Sequence, residues 1–336
     1  MDYEIVATLG PASRTPGIWR AMLDAGATAF RLNTSHLTLE QLQDWLAQLA
    51  QFLATRQSQP PLVLDLQGSK WRLGDFAPMT LDFGQYIELV LAESTDQPNA
   101  LPVPHPDFFE AAPHSSADIL LNDAKIKLAR ETSGSAILRA RVVIGGELSP
   151  RKGITYAESS YRQEQLSAKD RAIVVQTRDL SGVRYALSYV KDAAEMARYR
   201  ALCGTDAYLI AKLERQPAID EADRIAAYAN ELWLCRGDLG AELGLAGMAQ
   251  IAHAFSNRAA DLPIPALLAG QVLEHMTERP APTRSEICAL HDALCAGYRG
   301  FVLSDEAAIG RYPIESCRAA ALFRYSTVTD LARLRG

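Results

Sequence analysis

The chain is 336 residues long, 48% hydrophobic and 22% charged, with a net charge of −6 and a pI near 5.6. These proportions suit a globular protein with a large core, and the acidic balance excludes a broad nucleic-acid surface, which needs clustered Lys and Arg. No apolar run approaches the roughly 18 residues of a membrane span, and the five cysteines, odd in number and without C-x-x-C spacing, point to buried thiols in a reducing cytoplasm over disulfides or zinc.

The N-terminus reads at once as a strand, residues 4–9, with no signal peptide before it. A Gly-Pro turn follows at Gly10 and Pro11, then a helix with Ile18, Met22 and Leu23 on its apolar side. Residues 29–32 form the second predicted strand. The second helix opens at Thr38 with Gln41 three positions on, a capping-box pattern, and repeats apolar residues at Leu42, Trp45, Leu46, Leu49 and Phe52. Pro60 and Pro61 end it, and residues 62–66 are apolar enough for a parallel strand covered on both faces.

From about Asp75 to Glu158 the helical period fades and alternating stretches appear at 86–91, 125–130 and 136–143, which reads as a β-rich insertion. Strand and helix patterns then resume. Strands are predicted at 185–188, 207–212, 232–235, 265–268 and 300–303, with helices over 193–202 and 219–228. Eight strands result, and the chain without its insertion has the length of a typical (β/α)8 barrel, about 250 residues. The expected fold class is therefore α/β, a (β/α)8 TIM barrel formed by residues 1–74 and 159–336, with the insertion at 75–158. The tail after about Ser326 shows no packing pattern.

In such a barrel the chemistry sits at the C-terminal ends of the strands. Lys212 and Glu214 close the fifth strand, and Arg236, Gly237 and Asp238 close the sixth. Two carboxylates with a lysine between them can hold a hard cation such as Mg²⁺. The same residues also suit an exposed ion pair followed by a loop. A lysine at the end of an apolar strand is costly to hold without partners, which favours the functional reading. The six histidines show no metal-ligand spacing.

The stretches VATLGPASR, FRLNTSH, VLDLQGSKWRLG, GGELSPRKG, IAKLE, CRGDLG, PAPTRSE and VLSDEAAIGRYP occur in that order over nearly the whole chain. Together they resemble the successive signatures of pyruvate kinase. The resemblance implies a phosphotransferase that moves the phosphoryl group of phosphoenolpyruvate to ADP with Mg²⁺ or Mn²⁺, and an insertion built as a small β-barrel lid. It assigns Arg31 to the transferring phosphoryl group and Lys212 to the developing enolate. Glu214 and Asp238 are assigned to the divalent metal, and the amides of Gly237 and Asp238 to the substrate carboxylate. Arg72, Lys152 and Asp123 would serve the nucleotide, and Ser304 with Glu306 the end where the enolate is protonated. Asn33, Ser35 and Asp65 match the monovalent-cation site.

Three departures from the family stand out. Lys70, with Leu66, Gln67 and Leu73, matches the potassium-independent branch, so a tethered ammonium is expected in place of K⁺. At the end of the seventh strand, Gly270 stands where the family has a threonine that contacts the substrate; Lys191, Asn122 and Asp305 are smaller changes. The chain also stops near the eighth helix, so the resemblance implies a short form without the family's regulatory domain and its allosteric control. A homodimer through barrel helices is allowed by the sequence without being required. The alternative functions are a lyase or aldolase acting through a metal-bound pyruvate enolate, for which Gly270 makes room, and a weakly active relative from a specialised pathway.

Overall fold

The computed structural model describes residues 1–54, 56, 59–122, 124–157 and 166–324. The tail beyond Ser326 and Asp123, both discussed above, lie outside the described residues. In chain order the strands are β1 (Glu4–Leu9), β2 (Ala29–Asn33) and β3 (Leu62–Leu66), then β4 (Met79–Leu81), β5 (Tyr86–Val90), β6 (Ala100–Pro102), β7 (Asp118–Leu121), β8 (Ile126–Arg130), β9 (Ile137–Ile144), β10 (Gly146–Leu148) and β11 (Ile154–Tyr156) of the insertion, and finally β12 (Val183–Leu187), β13 (Tyr208–Leu213), β14 (Glu231–Cys235), β15 (Ala266–Ala269) and β16 (Gly300–Leu303). The helices are α1 (Pro16–Asp24), α2 (Leu39–Ala54), α3 (Pro106–Ala111), α4 (Ala168–Thr177), α5 (Ala193–Cys203), α6 (Gln216–Asp220), α7 (Ala222–Ile225), α8 (Arg236–Ser256), α9 (Arg284–Ala296), α10 (Asp305–Ala308) and α11 (Pro313–Ala320).

The chain forms two compact units, one from the described residues of 1–67, 168–236 and 251–336, the other from those of 68–167 with 237–250. In the first, eight parallel strands close in the order β1-β16-β15-β14-β13-β12-β3-β2, the expected TIM barrel. Apolar runs make these strands because a parallel strand inside a ring of helices is buried on both faces. Every second residue points inward, and Val6, Ala29, Val63, Ala186, Ile210, Trp233, Leu267, Ala269 and Val302 pack together as the interior. Trp233 fills the largest share; its indole Nε1 donates to Glu231 at 2.5 Å.

Most helices begin where the sequence signals them. Thr38 and Gln41 exchange backbone-to-side-chain bonds of 2.9 and 3.1 Å ahead of α2. Asp192 caps α5 by accepting from the Glu195 amide at 2.8 Å. The single helix expected over 219–228 is instead the pair α6 and α7, separated at Glu221, whose φ of −97° and ψ of 13° leave the helical well. The long α8 was not read from the sequence; Gly244, at φ 69°, interrupts it.

The second unit is β-rich, as the alternation predicted. Six strands follow the order β11-β7-β8-β9-β5-β6, all antiparallel except the β5–β6 pair, and β10 pairs separately with β4. Its core contains Phe108 stacked on Tyr156 at 4.6 Å, with Trp71 edge-on to Phe108 at 5.2 Å. Aromatic contacts of this kind add to the area that the rings bury.

Candidate active site

In the barrel unit, four ionised side chains converge at the C-terminal strand ends. Arg31 leaves β2, Asp65 β3, and Lys212 β13, with Glu214 just past the end of β13. Lys212 and Glu214 are two residues apart, so the strand's alternation turns both to the same side. Asp65 is the hub. Its Oδ2 accepts from Arg31 Nε at 2.7 Å and lies 2.6 Å from Arg31 Nη2. Lys212 Nζ donates to Asp65 Oδ1 at 3.2 Å, to Ser188 Oγ at 2.9 Å, and pairs with Glu214 Oε1 at 2.9 Å. Two cations and two anions thus neutralise one another. Such a group survives burial only because each charge has an opposite neighbour and further hydrogen bonds.

The supporting bonds come from residues the sequence reading passed over. Thr8 Oγ1 accepts from Arg31 Nη1 at 2.8 Å, Ser188 Oγ donates to Asp65 Oδ1 at 3.0 Å, and the Tyr189 amide donates to Glu214 Oε2 at 2.6 Å. Tyr189 has φ 65°, a left-handed conformation that costs a bulky residue energy and is held here by the packed surroundings. The signal for Thr8 and Ser188 is a hydroxyl residue at or just past the C-terminal end of a barrel strand.

The electrostatics follow from this geometry. Burial pushes the Asp65 carboxyl up, but Lys212 and Arg31 outweigh it and hold the group at about 2. Burial likewise favours neutral Lys212, and the charges of Asp65 and Glu214 overcome it, raising the ammonium above its ordinary value. Lys212 is therefore a fixed cation, suited to stabilising developing negative charge and unsuited to acting as a base at neutral pH.

Other assigned residues have identifiable roles in the local structure. Asn33 Oδ1 accepts from the Ser35 amide at 3.2 Å and caps the short turn after β2, while Thr34 Oγ1 donates to the Asp65 carbonyl at 2.7 Å. The Ser304 amide donates to Glu306 Oε2 at 2.9 Å, and the Leu273 amide to Glu306 Oε1 at 3.2 Å. Glu306 is fully buried, and that burial raises its carboxyl to about 7 against the pull of those amides.

Gly270, just past β15, has φ 84°, and Gln271 follows at φ 52°. The Gly270 carbonyl is clamped by Arg236 Nε and Nη2 at 3.0 and 2.8 Å. The glycine therefore serves a left-handed backbone as well as leaving out a hydroxyl. Gly270→Thr, which would put back the side chain found in the family, should cost about 1–3 kcal/mol of stability, since a β-branched residue is strained there. Urea unfolding measures the loss; a variant as stable as the parent would contradict it.

In the second unit, Lys70 Nζ pairs with Asp238 Oδ1 at 2.5 Å, both side chains being largely buried. Lys70, grouped above with Asn33, Ser35 and Asp65, thus has its ammonium on a carboxylate assigned to the divalent metal. Among the described residues Asp238 Oδ2 receives no hydrogen bond, so a hard oxygen is available there. Asp238 is in the first turn of α8, whose N-cap Cys235 makes no side-chain cap bond, and first-turn amides of a helix, here those of Gly237 and Asp238 among them, have no intrahelical acceptor. Arg72 bridges to Gly153, and the Leu73 amide donates to the Lys152 carbonyl at 2.9 Å, which puts Arg72 and Lys152 on paired backbone. Arg72 Nη1 donates to the Arg151 carbonyl at 3.0 Å, while its buried Nε has no partner among the described residues.

No cluster of three or more His, Cys, Asp or Glu suited to a metal occurs among the described residues. Cys203, Cys235 and Cys317 are buried and Cys288 and Cys295 exposed, all as free thiols. No helix among the described residues is long and apolar enough to cross a membrane.

Comparison with known proteins adds independent information. Residues 2–317 match the family model described as pyruvate kinase, barrel domain. A pyruvate kinase from Agrobacterium vitis is 33% identical over 316 residues, covering 93% of this chain and 65% of that protein. One from Methylorubrum extorquens is 31% identical over 317 residues, with 93% and 66% covered. One from Aeropyrum pernix is 30% identical over 317 residues, with 93% and 68% covered. The chain therefore spans about two thirds of the length of these relatives.

Proposed function

Because this chain belongs to the pyruvate kinase family, we propose that it transfers the phosphoryl group of phosphoenolpyruvate to ADP, giving pyruvate and ATP. The observation that carries the reading is the neutral, buried set of Arg31, Asp65, Lys212 and Glu214 at the strand ends. Phosphoryl transfer needs positive charge held where negative charge develops, with no covalent nucleophile. The bond from phosphorus to the enol oxygen breaks as one to a β-phosphate oxygen of ADP forms. Arg31 then faces the moving phosphoryl group and Lys212 the enolate oxygen it leaves. The enolate carbon takes a proton at the end served by Ser304 and Glu306, giving pyruvate.

Asp65 serves this chemistry by positioning. Bound to both cations, it fixes their side chains before substrate arrives, so little reorganisation is needed during transfer. A divalent cation held by Glu214 and Asp238 would supply charge neutralisation for the phosphoryl oxygens. The first-turn amides of α8 suit the substrate carboxylate, and Arg72, with Lys152, suits nucleotide phosphates. Arg72 Nε, without a partner among the described residues, favours transfer to a nucleotide over a lyase reaction, which has no phosphate chain to hold.

Purified protein given phosphoenolpyruvate, ADP and Mg²⁺ in a Tris buffer free of K⁺ should form pyruvate and ATP in equal amounts. Titrating K⁺ into the same assay should change the rate by less than about twofold, since Lys70 brings its own charge. Pyruvate formed without ATP would favour the lyase reading, and many-fold activation by K⁺ would contradict the role given to the ammonium.

A further inference from the structure

Within the second unit Lys70 Nζ lies 2.5 Å from Asp238 Oδ1, with side chains only 10% and 16% exposed. The path of Lys70 to this carboxylate runs across Gly153. A methyl group on Gly153 would lie 2.7 Å from Lys70 Cε and 3.2 Å from its Nζ, closer than packed atoms tolerate. Gly153 does not have a left-handed φ, so the backbone alone does not call for glycine there. What the missing side chain provides is room for the lysine. Beside the pair is a cavity of about 10 Å³ lined by Lys70, Leu120, Gly153, Thr155, Asp238 and Ala241, the size of one water molecule.

We propose that Lys70 is a resident competitor for Asp238, so that a divalent cation binds this carboxylate by exchange with an ammonium. This rests on the reading of Asp238 as a metal ligand. Asp238 Oδ1 is held by Lys70 at 2.5 Å, with both side chains largely buried. A metal must therefore replace that interaction, and its apparent affinity is lowered by the strength of the pair. The displaced ammonium withdraws toward the adjoining cavity, where the Thr155 hydroxyl can accept from it. Gly153 is a positioning residue in this scheme, since it sets how closely Lys70 approaches.

Binding of Mn²⁺ alone, followed by the electron paramagnetic resonance of the free ion, tests the exchange without turnover. Lys70→Met should bind Mn²⁺ roughly tenfold more tightly than the parent, as expected when one close charge pair no longer competes. Gly153→Ala keeps the lysine but pushes it off the carboxylate, and should tighten binding several-fold. If Lys70→Met tightens binding and Gly153→Ala does not, the effect is only removal of a nearby positive charge, and the exchange is overturned. Parental affinity in both variants overturns it too. Asp238→Asn checks the underlying reading separately: parental affinity in that variant removes Asp238 as a ligand, and the exchange fails with it. Weak binding by Asp238→Asn together with unchanged Lys70→Met and Gly153→Ala sinks the exchange alone.

Discussion

Lys212→Met is expected to lower the rate of phosphoryl transfer roughly 10³-fold or more, the scale seen when a placed donor to developing charge is lost from a dry site. The methionine keeps the length of the side chain and removes the ammonium that pairs with Glu214 and Asp65 at 2.9 and 3.2 Å. Each carboxylate retains a partner afterwards, Asp65 through Arg31 and Ser188 and Glu214 through the Tyr189 amide. The protein should therefore still fold, and Mn²⁺ binding should persist while transfer fails. Single-turnover measurement of ATP formation with Mn²⁺ binding in parallel distinguishes this from general damage. Retention of most of the turnover would remove Lys212 from its role.

Asp65→Asn should lower the free energy of unfolding by about 3–5 kcal/mol, because it leaves Arg31 and Lys212 buried side by side without their shared anion. The pH dependence has a defined sign. Asp65 titrates near 2 in the folded protein and near 3.8 when unfolded, so between those values the unfolded chain binds more protons. The group then contributes about 2 kcal/mol above pH 4 that is lost as the pH falls through 2. Urea unfolding of parent and variant at pH 7 and at successively lower pH measures both effects. The gap between the two should narrow on acidification; a constant gap would show that Asp65 does not carry this charge linkage. Activity should collapse as well, since the two cations lose the group that aims them.

The barrel was legible because its strands are apolar on both faces and recur with helices between them, a pattern that composition alone cannot mimic. The β-rich insertion was legible from a change of period after about Asp75. The interior strands β4, β6, β7, β10 and β11 were less so, being three or four residues long, too short for alternation to register. Lys212 and Glu214 were visible as charges at the end of an apolar run. That Asp65 joins Arg31 to Lys212 was not, since it depends on neighbouring strands whose register the local sequence does not specify. The strain at Tyr189 and Gly270 was hidden for a similar reason: only tertiary packing sets those dihedrals. Lys70 was noticed for its charge, yet its partner at 2.5 Å lies far along the chain and no spacing rule connects the two.

The joint between β3 and β12 bears on how the barrel assembles. Leu62 pairs with Val183 and Leu66 with Leu187, over a hundred positions along the chain, and the Gln67 amide donating to Asp170 at 3.2 Å fastens the same seam. Zipping two strands so distant in sequence costs more loop-closure entropy than any neighbouring pair, and non-local pairing slows folding. The other barrel joints except β1 to β16 link successive strands through short excursions. Closure at β3 and β12, like that at β1 and β16, is therefore late, and until both happen hydrogen-bonding edges stand open to other chains. Refolding yield should thus depend on protein concentration through these two joints.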